Sequence, residues 1–291
     1  MLPPVANRFI AGETAAEAVE YARHCETDGL VPMLNRLGSH HREREQAYAD
    51  AAAYRLLLDD LADAGLDAAI SIKPTQLGLE SGYSVFRELL DEVVAHAVER
   101  DIAVWLDMEE HPTVDPTLAA ATDLAAEHGS SVGVCVQADL HRTRDDLARL
   151  AETPTSVRLV KGGAYDRPDG IAYTDPERID QAYRNRLEDA FERFDEGLAV
   201  ATHDPAMIER AATLADRHGT DFEIQMLMGV RPVAQRELAL EHDVSQFIPY
   251  GERWKRWALN RAKRNLAFTA RAIAESAVSV RSAGASVATR D

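Results

Sequence analysis

Cysteine is nearly absent from this 291-residue chain, with Cys25 and Cys135 the only two. Two isolated thiols exclude a disulfide framework and a cysteine-rich zinc cluster, and they fit a reducing compartment. No apolar run approaches the roughly 20 residues of a membrane helix, so no transmembrane segment is expected. The opening stretch MLPPVANRF lacks the basic start and apolar middle of a signal peptide, and a cytoplasmic location follows as an expectation. Glycine and proline are scattered and no linker-like run divides the chain, which points to one large domain. Basic residues are also short: 32 against 49 acidic ones leave a formal charge of −17. A field of that sign disfavours nucleic acid and anionic membrane surfaces. The acids spread over helix faces, as in DEVVAHAVERD and TDLAAEHG. Solubility is the plain reading, and adaptation to high salt, where screening makes so many like charges tolerable, is the sharper one.

Eight short apolar or β-branched runs are present, alternating with longer segments of helical period. They lie near Leu30–Leu34, Ala68–Lys73, Ile102–Asp107, Val132–Gln137, Val157–Lys161, Leu198–His203, Phe222–Met226 and Gln246–Pro249. Segments such as YRLLLDDLADAGL and VFRELLDEVVAHAVERD carry apolar positions at three and four spacing, as amphipathic helices do. Eight β/α alternations favour an α/β protein whose parallel sheet closes into a (β/α)8 TIM-type barrel. An open doubly wound sheet is the alternative, but no G-x-G-x-x-G follows any strand. Thr14 and Glu17 have the spacing of a capping box ahead of a leading helix. Gly65 and Gly197 are expected to end two helices. The domain is expected over residues 1–277, with VSVRSAGASVATRD, residues 278–291, as a mobile tail.

In a parallel barrel the C-terminal strand ends share one mouth. That rule gathers Lys73, Asp107, Gln137, Lys161, Thr202 and His203, with Arg158 and Gln225 slightly deeper. One strand-end lysine is usually a surface charge, but six strands each delivering a polar group to one place are hard to explain as packing. Arg158 interrupts the apolar strand of VRLVKGGAYD, and a buried arginine is costly unless it meets an anion or a strong acceptor. The glycines after it allow close backbone approach to a ligand. Three chemistries fit this set. Lys73 or Lys161 could form a Schiff base. Asp107, Glu109, His111, His203 and Asp204 could hold a metal, though no H-x-H or H-E-x-x-H pattern supports it and no metal is expected. Arg158, Lys161, Gly162, Gln137 and His203 could clasp an anionic cofactor with a planar ring, such as a flavin. Several other residues read plainly. His40 and His41 belong to a polar surface loop, Trp105, Met226 and Met228 to packing, and Glu109 and Glu110 equally to the site or to the charge of the next helix.

The segments FIAGETAAEAVEYA, SIKPTQLGL, WLDMEEHPTVD, VGVCVQADLHRT, VRLVKGGAYD, ATHDPAMI, EIQMLMGV and FIPYGERW occur in one order. In that order they resemble the monofunctional, FAD-dependent proline dehydrogenases, over roughly Phe9 to Phe268. The resemblance implies a distorted barrel with a leading helix and a C-terminal helix that clamps the substrate. It implies oxidation of L-proline to Δ1-pyrroline-5-carboxylate in proline catabolism, with hydride transfer to flavin N5 and onward electron transfer to a quinone or another acceptor. By resemblance, Arg158 contacts the reactive edge of the isoalloxazine and Asp107 sits beside the substrate pocket, both as catalytic residues. Met108, Gln137, Val160, Lys161, Gly162, Thr202 and His203 fall at flavin-contact positions. Lys73 falls at a substrate-binding position paired with Asp107, and Leu227 packs on the proline ring. The carboxylate clamp keeps Arg261 but has Asn260 where the family has an arginine. Trp257 and Phe247 stand at frequent tyrosine positions, and Tyr165 aligns with a tryptophan. These departures leave another cyclic or N-alkylated amino acid as an alternative substrate, while the strand-end lysines leave a Schiff-base lysine aldolase as a remoter alternative function. Peripheral contact with a membrane, where a quinone would be met, stays open.

Overall fold

The computed structural model describes residues 4–255 and 257, apart from 163, 164, 166 and 169. The tail expected over 278–291 and the clamp residues Asn260 and Arg261 lie outside the described residues. In chain order the elements are α1 (Pro4–Asn7), α2 (Ala15–Thr27), β1 (Val31–Arg36), α3 (Arg44–Asp63), β2 (Ala69–Ile72), α4 (Tyr83–Val98) and β3 (Ala103–Leu106). Then follow α5 (Val114–His128), β4 (Val132–Gln137), α6 (Thr143–Leu150), β5 (Ser156–Val160), α7 (Pro176–Phe191), β6 (Leu198–Ala201) and α8 (Pro205–His218). The order ends with β7 (Phe222–Leu227), α9 (Pro232–Leu238) and β8 (Asp243–Tyr250). All eight expected runs are strands. They pair in parallel, each with its sequence neighbour, and β8 returns to β1 to close the barrel.

The leading helix α2 starts as its sequence dictates. The Thr14 hydroxyl accepts the Glu17 backbone N–H at 3.3 Å, and the Glu17 carboxylate accepts the Thr14 N–H at 3.0 Å. Two of the donors a helix start leaves open are thereby satisfied. Gly65 follows α3 with φ +66°, the left-handed turn expected there. Gly197 does something else. α7 has already ended at Phe191, and Gly197 stands just before β6, where its carbonyl accepts the Val157 N–H at 2.8 Å. A side chain there would crowd Ser156, so the glycine serves strand packing rather than a helix end.

Strand alternation divides the side chains between two cores. Leu34, Ile70, Ile72, Val104, Leu106, Val134, Leu159 and Val200 join the helix residues in one outer core. Met226 and Met228 pack with Ile208, Ile224 and Val244. Met33, Ala69, Trp105 and Ala199, from four separate strands, meet inside the barrel. Trp105 fills that space because its neighbour on β4 is Gly133, where any Cβ would overlap the indole. Above this plug the inward positions turn polar: Ser71, Asp107, Gln137, Arg158 and Gln225 are all buried. β8 begins at Asp243, before the expected Gln246. Its first inward residue, Ser245, bonds Glu223 of β7 at 2.5 Å inside the barrel, so its polarity marks an interior pair rather than a loop.

Candidate active site

Register fixes the centre of the mouth. β2 and β3 pair with Ile72 opposite Leu106, so the next residues, Lys73 and Asp107, emerge side by side. One Asp107 oxygen accepts the Lys73 ammonium, and the other accepts both Arg158 Nη2 and, at 2.7 Å, the Ser71 hydroxyl. Arg158 Nη1 reaches Gln225 Oε1 and Met33 Sδ, each at 3.4 Å. The guanidinium carbon lies 5.5 Å from the centre of the Trp105 ring. Asp107 is 8% exposed and Arg158 4%. Burial alone would raise the Asp107 pKa, but the charges of Lys73 and Arg158 outweigh it and hold the carboxyl at about 2. Burial likewise works against both cations, and Asp107 more than compensates, so each is pushed up from its ordinary value. The cluster is therefore a permanently charged cation–anion–cation set.

A cavity of about 460 Å³ opens over it. Met108, Val160, Tyr165, Leu227, Phe247 and Trp257 give it apolar walls, while Lys73, Asp107, Arg158, Gln137, Lys161 and His203 supply charge and polarity. Gly162 also lines it, with φ +93° and its Cα so close to Asp139 that a Cβ would overlap the carboxylate. Gln137 Nε2 donates to the carbonyls of Met108 and Glu109 at 3.2 and 3.4 Å. Lys161 is paired with Asp180 at 2.7 Å and Asp204 at 3.0 Å. Thr202 is the one described candidate that does not line the cavity; its buried hydroxyl accepts the Asp204 N–H at 3.2 Å and shapes the turn into α8. A second depression of about 810 Å³ lies near the N-terminal ends of β7 and β8, lined by acidic residues and His242 with no lysine or arginine. In this fold chemistry belongs to the opposite face.

Two readings of the site fall on geometry. A Schiff-base lysine must be available as the neutral amine. Lys73 is instead locked to Asp107 as the ammonium, and Lys161 is held between two carboxylates. The five metal candidates do not converge either. Among the described residues, the one set whose ligand atoms lie within 4.8 Å of one another is His40, Glu109 and Glu110. There His40 is already bound to Glu80 at 2.7 Å, and Glu109 accepts the backbone N–H and hydroxyl of Thr75, both at 2.9 Å. Glu109 is thus a buried brace for the chain leaving β2 rather than a charge for the next helix. His41 is also no surface residue. It is buried against Asp50 at 2.7 Å, and Arg36 and Gln76 bind the same carboxylate at 2.9 and 2.8 Å.

Sequence reasoning missed Ser71, Arg167 and Asp180. Ser71 was recoverable, since it lies two residues before Lys73 and shares its face. Arg167 and Asp180 come from a loop and a helix, where no strand period marks them. The donor set suits a planar ligand with apolar faces and a polar, partly anionic edge: apolar walls for the faces, and a fixed guanidinium, an ammonium and an amide for the edge.

Comparison with known proteins places the chain in a family. A family model described as "Proline dehydrogenase" matches residues 18–256. Proline dehydrogenase of Deinococcus radiodurans is 33% identical over 277 residues, covering 91% of this chain and 88% of the relative. Proline dehydrogenase 1 of Bacillus subtilis subsp. natto is 30% identical over 262 residues, covering 88% and 85%. The crystal structure of proline utilization A from Bdellovibrio bacteriovorus inactivated by N-propargylglycine superposes with a TM-score of 0.80 at 22% identity. The match covers 88% of this chain but only 32% of that larger protein, and it speaks for the fold alone.

Proposed function

Because the chain belongs to the proline dehydrogenase family, we propose that it oxidises L-proline to Δ1-pyrroline-5-carboxylate with FAD seated in the 460 Å³ cavity. The observation that carries this reading is the Lys73–Asp107–Arg158 cluster on the floor of a cavity with apolar walls and a polar edge of Gln137, Lys161 and His203. The flavin, when bound, supplies a two-electron acceptor for the C–N bond that becomes an imine. Arg158, with Met108, Gln137, Val160, Lys161, Gly162 and His203, is assigned to the flavin, whereas Thr202 shapes the turn after β6 instead of touching the ring. As a fixed cation, Arg158 stabilises negative charge that develops beside it.

Lys73 binds the substrate carboxylate, aided by Arg261 and Asn260 from beyond the described residues. Asp107 holds Lys73 and Arg158 apart at fixed positions, so neither reorganises when substrate arrives. Leu227 packs on the proline ring, and Phe247, Tyr165 and Trp257 exclude water around it. Dry walls favour the neutral amine over the ammonium. The neutral amine is the reactive form, because its lone pair must assist loss of hydrogen from the adjacent carbon.

We assign the onward electrons to a quinone or another external acceptor, in a cytoplasmic enzyme that touches a membrane at most peripherally. Among the described residues, no helix is long and apolar enough to cross one. The test is product identification. Incubation with L-proline and an artificial acceptor should give an imine acid lighter than proline by two hydrogens. Acceptor reduction by hydroxyproline or an N-methyl amino acid, with none by proline, would move the substrate assignment to that class.

A further inference from the structure

Arg167 lies in the loop between β5 and α7, outside the cavity lining. Its side chain is 4% exposed, and the Asp139 carboxylate beside it is 1% exposed, with Nε 3.7 Å from Oδ2. Burying such a pair costs desolvation that mutual attraction only partly returns, so something positioned by the pair should account for it. Three mouth groups surround it. Arg167 Nη2 donates to Gln137 Oε1 at 2.6 Å, Nη1 lies 3.4 Å from the Glu109 carbonyl, and the guanidinium carbon is 5.7 Å from the Tyr165 ring. The loop that carries Arg167 is itself strapped to the end of β4. Tyr173 N–H donates to the Asp139 carbonyl at 2.8 Å, and His141 N–H to the Ile171 carbonyl at 3.0 Å.

A carboxamide with symmetrical surroundings flips cheaply, because its oxygen and nitrogen occupy nearly the same space. Gln137 cannot. A flip would turn its NH2 onto the guanidinium and its oxygen onto the carbonyls of Met108 and Glu109, donor against donor and acceptor against acceptor. We propose that Arg167 is a positioning residue for cofactor recognition, locking the Gln137 amide so that the flavin edge meets one fixed polarity. This inference rests on the flavin reading above and goes beyond it in assigning a residue that touches neither the cavity nor the substrate.

The test is a double-mutant cycle on apoprotein, with FAD as probe and quenching of flavin fluorescence and the visible absorption bands as readouts. Arg167→Met should weaken FAD binding about tenfold and shift the bands of the bound flavin. Gln137→Ala should do the same, and the double variant should be no worse than Gln137→Ala alone. Arg167→Lys keeps the charge beside Asp139, protects against a variant that fails to fold, and should fall between parent and Met. Unchanged affinity and bands in the Arg167 variants, or losses that simply multiply in the double variant, would overturn the inference. A parent protein that binds FAD poorly or not at all would overturn the flavin reading itself, and this inference with it.

Discussion

Asp107 is the residue on which the site balances, since a buried guanidinium and a half-buried ammonium depend on one carboxylate. Asp107→Asn leaves Lys73 and Arg158 under-compensated, and the expected cost is about 3 kcal/mol of stability, read from urea unfolding, along with loss of turnover. The pH dependence has a definite sign. The folded pKa of about 2 lies below the unfolded carboxyl, near 3.9. The stabilisation is therefore complete above about pH 4 and is lost as pH falls through about 2, a difference on the order of 2 kcal/mol. Unfolding curves between those limits should be steeper in pH for the parent than for Asp107→Asn; parallel slopes would place the ionisation elsewhere. Lys73→Met acts on binding. Loss of one charge-assisted bond to the substrate carboxylate should lower kcat/KM about 10- to 100-fold, and an unchanged KM would remove Lys73 from that role.

The strands carry the site, and they are also what the sequence displays best. Short apolar or β-branched runs marked all eight, and the polar residues delivered by six of them marked the mouth. The misses share a cause: a polar residue whose partner is remote in sequence looks like surface. Ser245 pairs with Glu223 inside the barrel, His41 with Asp50 on α3, Glu109 with Thr75, and Arg167 with Gln137. Each is hydrophilic in sequence and buried in the fold. Gly197 shows the reverse error, a glycine read as a helix end that instead makes room beside Ser156. Gly133 gives a test at this scale. Its missing side chain admits the Trp105 ring that supports Arg158 from below. Gly133→Ala should destabilise the barrel by about 1–3 kcal/mol through overpacking. A tolerated alanine would mean that the Trp105 plug can shift.

A formal charge of −17 repels itself over the whole surface, whereas the cationic site is buried and poorly screened. If the acidity is an adaptation to salt, the unfolding midpoint should rise steadily between about 0.1 and 1 M sodium chloride, as the screening length falls from about 10 to about 3 Å. Indifference to salt would leave solubility as the reason for the charge. On the proposed function, strand-end cations and an amide hold a redox-active ring in reach of L-proline. The visible absorption spectrum of the purified protein, before and after anaerobic addition of L-proline, tests it most directly. A yellow protein that bleaches with proline is the predicted result. A protein that stays colourless after incubation with FAD or FMN, or whose bound flavin is indifferent to proline, would contradict it.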